Sequence, residues 1–381
     1  MNKKTLAIVV VVALLVAVGI YAATRDKGLP DEIKIGANFE LTGGSATYGS
    51  EELNGLQLAI DEANASGDIK SKIVIVKADN KSDGAEATNQ ARKLIEQDKV
   101  VAIVGPATSG LTKAAAPVAQ ENKIPLITPS GTAVDVTAVG DYIFRACFLD
   151  STQGQVMGEY AYNKLNSRNA AILYAKNDYG EGLTKYFKEQ YTALGGKIVA
   201  EEAFQDGDQD FKSQLTKIKA TKPDLIYVPG YYNEQAYIAK QARGMGITVP
   251  LTGGDGWDSL KILNETAGAA NINNIFYTNH YSPSDPDPAV QAFVSKYKET
   301  YGAEPTAFAV LGYESGRILV NAIKNADSAD STKIRDAIAE TKDFKALAAS
   351  ISFDADRNPI KSLVIVQLTN GQQSVKETVT P

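Results

Sequence analysis

The 381-residue sequence contains only one cysteine, Cys147, and one histidine, His280. A single cysteine excludes an intramolecular disulfide framework, and so few thiol and imidazole groups exclude a metal centre built from them. A Ser/His/Asp catalytic arrangement has no choice of histidine, and His280 precedes a proline-rich turn, so we assign it neither a catalytic nor a metal-binding role. Cys147 lies in the apolar run YIFRACF and is expected to be a buried core residue.

Basic residues do not dominate either, since 39 Lys and Arg stand against 45 Asp and Glu and give a net charge of −6. No basic face is available for phosphates, so we predict no nucleic-acid partner. The hydrophobic share of 44% and the charged share of 22% are typical of a globular protein. The length allows two domains.

A long hydrophobic run is present at the N-terminus, where MNKK precedes an uncharged stretch from Thr5 to Thr24. This pattern is typical of an export signal, and the run is also long enough to span a bilayer as a helix. The segment Ile20–Ala22 only approximates a small-x-small cleavage site, and no cysteine follows that could carry a lipid. Residues 1–30 therefore predict either a signal peptide or a retained membrane anchor. Both place the rest of the chain outside the cytoplasm.

From Ile33 onward, short β-branched runs such as IKIGANF and VAIVG alternate with segments of helical period such as LNGLQLAIDEANAS. This alternation predicts parallel sheets with helices on both faces. The pattern occurs twice, over about residues 33–149 and about residues 169–254, which favours two lobes over one very wide sheet. After about residue 275 the order changes to a strand, long helices and the final strand SLVIVQL.

Ligands of open α/β sheets bind outside the carboxyl ends of the strands. The residues that follow the predicted strands include many Ser, Thr, Gly and Tyr, an acidic residue at Asp255 and few cations. The sequences GxGxxG and GxxxxGK[ST] are absent there, which disfavours a dinucleotide or a nucleoside triphosphate. With no catalytic base in view, we predict a protein that has no cofactor and no catalytic residues, and is not an enzyme.

The stretch VAIVGPATSG indicates a strand, a turn and a helix start that can bind an anion. The loop PATSG contains no Lys or Arg, and the next basic residue is Lys113, inside the following helix. A carboxylate is therefore favoured over a phosphate as the bound anion. The loop PSGTA adds the hydroxyls of Ser130 and Thr132, and Asp255 in the second lobe can take a cation. A carboxylate partner and an ammonium partner together describe an α-amino acid. Two plainer interpretations stay open, namely that Ser109 only caps its helix and that Asp255 is only solvated.

Several motifs together resemble the substrate-binding proteins of branched-chain amino acid ABC transporters, the Leu/Ile/Val-binding proteins. They are LTGGSATYG, VGPATSG, IPLITPSGT, NDYGEG, DQDFKSQLTKIKATKPDLIYVPGY and FDADRNP, and the resemblance covers about residues 33–368. It implies the α/β type I periplasmic-binding fold, with two doubly wound parallel-sheet lobes. It also implies a hinge of three crossovers near residues 149–151, 277–280 and 352–354. Lobe 1 would then comprise residues 31–150 and 279–353, and lobe 2 residues 151–278 and 354–381.

The resemblance also implies roles for individual residues. Ser109 matches the position that holds the ligand carboxylate, Thr132 the one that contacts carboxylate and ammonium, and Asp255 an acidic position that pairs with the ammonium. The implied ligand-binding set is Tyr48, Ser109, Ser130, Thr132, Tyr179, Tyr231, Asp255, Gly256 and Phe308, with Thr108 and Trp257 as further pocket candidates. The implied partners are a free amino acid, expected to have an aliphatic side chain, and the permease subunits of an ABC importer. The protein is expected to be a monomer that acts by hinge closure.

The sequence departs from the family pattern in several places, two of which are Thr108 and Asp255. Thr108 stands where some relatives carry a cysteine, and Asp255 is one methylene shorter than the glutamate of others. The same fold could instead bind a short amide, urea or another small carboxylate, or serve as an amino acid sensor domain. The identity of the amino acid and the processing of the N-terminus stay open.

Overall fold

The structure is a computed structural model that describes residues 29–380. The signal or anchor predicted for residues 1–30 therefore lies almost wholly outside the described residues. Between residues 29 and 380, no helix combines the length and the apolar character needed to cross a membrane.

Lobe 1 is built on a five-stranded parallel sheet with the order β2-β1-β3-β4-β5. Its strands are β1 (Glu32–Phe39), β2 (Lys72–Asp79), β3 (Ala102–Val104), β4 (Leu126–Thr128) and β5 (Ile143–Arg145). Its helices are α1 (Ala46–Ser66), α2 (Gly84–Glu96), α3 (Ser109–Glu121), α9 (Pro288–Tyr301), α10 (Ala307–Ala326) and α11 (Ser331–Ala339). A two-stranded hairpin of β11 (Phe344–Lys345) and β12 (Ser350–Ile351) follows α11.

Lobe 2 is built on a seven-stranded sheet with the order β14-β13-β10-β9-β8-β6-β7. Its strands are β6 (Asn169–Ala175), β7 (Lys197–Phe204), β8 (Leu225–Tyr227), β9 (Leu251–Gly253), β10 (Ile275–Asn279), β13 (Leu363–Thr369) and β14 (Gln372–Val379). Its helices are α4 (Asp150–Asn163), α5 (Asp178–Ala193), α6 (Lys212–Ala220), α7 (Tyr232–Gly244) and α8 (Leu260–Ala267). Five strands run parallel, whereas β13 and β14 are antiparallel additions at one edge. The α/β prediction of two doubly wound sheets is thus confirmed, and the second sheet is mixed.

The two faces of the first sheet are buried in two separate hydrophobic clusters. Ile35, Val104 and Ile127 belong to one cluster, whereas Ile103 and Leu126 belong to the other. Successive side chains of a strand point to opposite faces, so a strand buried on both sides is apolar throughout. This explains the continuous apolar runs that the sequence shows at β3 and β4.

Some element boundaries differ from the sequence prediction. Helix α1 begins at Ala46 rather than at Leu53, so Tyr48 lies on a helix. Strand β5 lies inside the run YIFRACF, and Cys147 is buried there, as predicted. Strand β14 has the sequence QQSVKETV, whose mostly exposed polar residues give no apolar strand pattern. It forms because β13 offers it a complete antiparallel partner.

The chain passes between the lobes three times, after β5, after β10 and before β13. The turn at residues 354–359 still contacts lobe 1, because Arg357 Nη2 donates to the carbonyl of Thr137 at 2.8 Å. The third crossing therefore follows this turn, later than the expected residues 352–354. The crossing after β10 delivers His280 and Tyr281 to the space between the lobes.

Helices α1 and α10 lie unusually close together. A Cβ added to Gly55 or to Gly312 would collide with a backbone carbonyl of the other helix, so both positions require the absence of a side chain. This close approach brings Tyr48 of α1 against Phe308 of α10, with their rings stacked at a centroid distance of 4.0 Å. The helix pair thereby supplies an aromatic wall at the lobe interface.

Candidate functional site

A small cavity of about 10 Å³ lies between the carboxyl ends of the parallel strands of the two sheets. Both lobes contribute to it, as expected for strand ends that face each other across a cleft. Its lining residues are Tyr48, Ala107, Thr108, Ser109, Ser130, Tyr179, Tyr231, Asp255, Gly256 and Phe308. The structure thus brings together all but one of the residues in the sequence-derived ligand-binding set.

Thr132 and Trp257 do not line this cavity. Thr132 is fully buried, and its carbonyl accepts the N–H of Asp150 at 2.9 Å. Trp257 is fully buried in the core of lobe 2, and its Nε1–H donates to the carbonyl of Val228 at 3.2 Å. An indole needs such a partner when it is buried, and this bond turns Trp257 inward.

The start of α3 is partly occupied by the chain itself. The carboxylate of Glu40 accepts the N–H groups of Ala107 and Thr108, each at 3.0 Å, and also the Thr108 hydroxyl at 3.0 Å. The first turn of a helix has four N–H groups without intrahelical partners. Of these four, Glu40 accepts only that of Thr108, because Ala107 precedes the helix. The N–H groups left without a partner inside the helix are those of Ser109, Gly110 and Leu111. Thr108, expected as a pocket candidate, lines the cavity, but its hydroxyl donates its hydrogen to Glu40 rather than to a ligand.

Ser109 combines a helix-start N–H with a hydroxyl group that can donate. Its Oγ accepts the N–H of Ala133 at 3.0 Å, which leaves the hydroxyl hydrogen free to turn toward the cavity. The side chain is 1% exposed, so a carboxylate bound there would be desolvated. Two donors on one residue suit the two oxygens of a carboxylate.

Ser130 lies between a carboxyl group and a carbonyl. Its hydroxyl is hydrogen-bonded to Glu52 and lies 2.8 Å from the carbonyl of Ala107, to which it donates. One hydroxyl hydrogen cannot serve both groups, so Glu52 must be the donor of the other bond. Burial raises the pKa of Glu52 well above its usual range, which keeps the carboxyl protonated for that purpose.

Asp255, directly after β9, forms the opposite pole of the cavity. Its Oδ1 accepts the Tyr179 hydroxyl at 2.7 Å and the Gln153 Nε2–H at 3.0 Å, and its Oδ2 lies 2.8 Å from His280 Nε2. Gln153 is fixed in turn, because its Oε1 accepts the backbone N–H of Asp255 and the Thr278 hydroxyl. Asp255 is only 2% exposed, so it is not a solvated loop residue. The interpretation of Asp255 as a solvated surface residue is therefore wrong.

Aromatic residues close the remaining sides. Tyr231 stacks on Tyr179 at 5.1 Å and meets Tyr48 edge-on at 5.9 Å. The Tyr48 hydroxyl donates to the Gly256 carbonyl at 2.5 Å and accepts the N–H of Tyr232 at 3.0 Å. Because Tyr48 belongs to lobe 1 and its two partners to lobe 2, these bonds join the lobes at the cavity.

Further contacts show that the lobes are closed on each other. Asn233 Nδ2 donates to the Gly44 carbonyl at 2.6 Å, and the N–H of Ala307 donates to Asp258 at 2.7 Å. At the rim, Lys113 of lobe 1 pairs with Asp178 of lobe 2 at 2.7 Å. The cavity is therefore enclosed by contacts from both sides.

Sequence reasoning missed three polar residues of the site, namely Glu40, Gln153 and His280. His280 directly follows β10, so the rule that places ligands at strand ends would have included it. His280 was not assigned to the site because a proline-rich turn follows it in the sequence. Glu40 likewise directly follows β1, so the same rule would have included it, whereas Gln153 lies within α4 and follows no strand end. Within residues 29–380, no group of three or more His, Cys, Asp or Glu side chains is placed to hold a metal ion.

Comparison with known proteins agrees with this geometry. A sequence profile described as periplasmic binding protein matches residues 32–373. The Leu/Ile/Val-binding protein BraC3 of Rhizobium johnstonii is 30% identical over 325 residues, which are 84% of this chain and 87% of the relative.

Two solved structures are similar over nearly their whole length. The branched-chain amino acid transporter substrate-binding protein LivJ of Streptococcus pneumoniae, in complex with isoleucine, is 42% identical. It covers 92% of this chain and 100% of its own, with a TM-score of 0.87. The leucine-binding protein LivK of Thermotoga maritima is 35% identical and covers 92% of this chain and 99% of its own, also with a TM-score of 0.87. The predicted type I periplasmic-binding fold is confirmed, and the chain belongs to the periplasmic binding protein family and, within it, to the Leu/Ile/Val-binding proteins.

Proposed function

We propose that this protein captures a free α-amino acid with an aliphatic side chain in the cavity and delivers it to an ABC importer. One observation carries the proposal, namely a buried carboxylate on lobe 2 that faces the donor-rich start of α3 on lobe 1. An α-amino acid carries the two complementary charges next to each other. The related LivJ was solved with isoleucine, which supports this class of ligand.

Each pole has a defined partner in this proposal. The ligand carboxylate accepts the hydroxyl and the N–H of Ser109, aided by the dipole of α3. The ligand ammonium donates to Asp255, and Ser130 and Gly256 complete the polar surroundings. Charge-assisted hydrogen bonds of this kind are roughly twice as strong as neutral ones.

The side chain of the ligand would contact the aromatic wall of Tyr48, Phe308 and Tyr231. Stacked rings offer a rigid apolar surface whose burial stabilises an aliphatic group by about 25 cal/mol per Å². A short amide, urea or simple carboxylate would lack the ammonium and leave Asp255 buried without a cationic partner. The amino acid is therefore preferred over these ligands.

Binding would act by hinge closure rather than by chemistry. The moving bodies follow the sequence-derived division, residues 31–150 with 279–353 against residues 151–278 with 354–381, except that the turn at 354–359 moves with lobe 1, which it contacts. Ser109 belongs to lobe 1 and Asp255 to lobe 2, so an amino acid can contact both only in the closed state. It therefore binds the closed state more tightly than the open state and shifts the population toward the closed state. The closed form then presents the surface that permease subunits recognise. The family consists of substrate-binding transport proteins that work outside the cytoplasm.

The remaining parts of the proposal concern export and assembly. Residues 1–30 direct export, either as a signal peptide or as a retained anchor, and the exported part works as a monomer. Cell fractionation with a tag at the C-terminus separates these cases, since an intact N-terminus in the membrane fraction indicates an anchor. Full-length chain in the cytoplasm would contradict the export proposal.

A ligand screen tests the function itself. The purified protein is mixed with each of the common amino acids, and its unfolding temperature is recorded. A ligand at 100 times its Kd stabilises by roughly 2.7 kcal/mol, so Leu, Ile or Val should raise the unfolding temperature clearly. No response to any amino acid, confirmed by calorimetry, would refute the proposal.

A further inference from the structure

His280 is the only histidine of the chain and lies at the second crossing between the lobes. Its side chain is 1% exposed, and its ring stacks on Phe148 with centroids 3.7 Å apart and planes 13° apart. The ring is therefore fixed, and its Nε2 is held 2.8 Å from Asp255 Oδ2.

The hydrogen-bonding pattern assigns the tautomer of this imidazole. Nδ1 is buried and has no partner in the described part of the chain. A hydrogen on Nδ1 would be a buried donor without an acceptor, which is costly, so the neutral ring carries its hydrogen on Nε2. Nε2 then donates to Asp255, and His280 is neutral.

All three side chains that contact the Asp255 carboxylate are then neutral donors. Tyr179 accepts the N–H of Gly256 and donates its own hydrogen to Asp255, and Gln153 donates its amide. Among residues 29–380, no Lys or Arg forms an ion pair with Asp255. The site thus stabilises an anion by dipoles without neutralising it.

We propose that His280 is a positioning residue that keeps Asp255 an unpaired anion for the ligand ammonium, so that protonation of His280 and amino acid binding oppose each other. This inference rests on the proposed function. A protonated His280 would supply Asp255 with a cation from within the protein. The ligand ammonium would then meet a neutralised pair.

Other charged groups approach His280 from each neighbouring element. Lys361, ahead of β13, pairs with Glu314 of α10 at 2.9 Å, and both are buried near the ring. On the side of α4 lie Cys147, which is buried beside Phe148, and Asp150, whose pKa burial raises well above its usual range. Lys361 opposes protonation of the imidazole, whereas Asp255 and Glu314 favour it.

The direction of the pH effect follows from these groups. Burial lowers the pKa of His280 below its usual value of about 6.5, and the bond to Asp255 only partly offsets this. A bound ammonium would lower it further. Affinity is therefore constant at neutral pH and falls on the acid side, by at most about tenfold per pH unit for one excluded proton.

Calorimetry of the purified protein with L-leucine and L-isoleucine tests this directly, from about pH 7.5 down to about pH 4, which lies well below the usual pKa of an imidazole. The H280Q variant retains a neutral amide near the Nε2 position but does not titrate, so it should bind with a nearly flat profile. The H280F variant keeps the stacking on Phe148 but loses the donor, so its affinity should fall at every pH. The control S167A removes a buried hydroxyl at the far end of β6 and should keep the acid-side fall.

The possible outcomes are distinct. A wild-type affinity that falls toward acid pH, together with a flat H280Q profile, supports the role of His280. A wild-type affinity that stays constant with pH, or an H280Q profile that falls like the wild type, would overturn it. Absence of amino acid binding by the wild type at every pH would instead contradict the proposed function. Unfolding temperatures of each variant without ligand show whether the fold is intact.

Discussion

Replacing Asp255 by asparagine removes one charge from the cavity while it keeps the shape of the side chain. Asp255 is 2% exposed, so the ammonium of a bound amino acid would lose its only buried counterion among the residues that line the cavity. Loss of one partner of a buried ion pair costs about 3–5 kcal/mol. At about 1.4 kcal/mol per tenfold, Asp255→Asn should raise the Kd by roughly two to four powers of ten.

The alanine variant should behave differently in one respect. Asp255→Ala leaves Tyr179, Gln153 and His280 without their common acceptor, so it should also lower the unfolding temperature of the ligand-free protein. Asp255→Asn keeps an oxygen for Tyr179 and Gln153, but its amide nitrogen faces His280 Nε2, which can accept only if the ring hydrogen moves to Nδ1. This variant should therefore lose less stability than the alanine variant. The difference separates loss of charge from loss of structure.

The assay is calorimetry with L-isoleucine at neutral pH, with unfolding followed in parallel. Asp210→Asn serves as the control, because it removes the same charge from an exposed position of the same lobe. Its Kd should equal that of the wild type. If Asp255→Asn bound L-isoleucine as tightly as the wild type, the ammonium pole would lie elsewhere and the reasoning would fail.

Four further changes test other parts of the account. Ser109→Ala removes a hydroxyl but keeps its N–H, so the Kd should rise by roughly ten- to a hundredfold, less than for Asp255→Asn, and an equal or larger loss would contradict the ranking. Tyr48→Phe deprives the Gly256 carbonyl and the Tyr232 N–H of a partner, and should weaken binding by roughly ten- to a hundredfold in calorimetry. Lys113→Ala breaks the rim pair with Asp178, and should raise the Kd by no more than about fivefold, an effect that vanishes in high salt. Gly312→Ala should destabilise by about 1–3 kcal/mol in thermal unfolding because α1 and α10 must move apart, whereas Gly244→Ala, in open space, should not.

The regular parts of the fold could be predicted because they depend on local sequence. Apolar runs such as VAIV are buried on both faces of a parallel sheet, and the helical period of residues 307–326 matches α10 from end to end. Strand β14 could not be predicted, because its mostly polar residues lie at a sheet edge and show no apolar pattern. Its conformation depends on pairing with β13 rather than on burial.

The candidate site was predictable where strand ends carry hydroxyls, aromatics or Asp255. Glu40 also follows a strand end, but its contact with the start of α3 could not be predicted, because the two lie 67 residues apart in the sequence. The same holds for the Tyr48 hydroxyl, which meets Gly256 across 208 residues and only when the lobes are closed. The first contact depends on the packing of β1 beside β3 within lobe 1, and the second depends on how the two lobes meet. No local sequence pattern indicates either.

The central claim is that the cavity recognises the ammonium and the carboxylate of one amino acid together. Titration calorimetry of the wild-type protein with L-isoleucine, its carboxamide and its analogue without the amino group measures this most directly. The account predicts tight binding of L-isoleucine and a Kd at least about a hundredfold higher for each of the other two, because each leaves one buried pole without its partner. Equal affinity for L-isoleucine and the analogue without the amino group would contradict it.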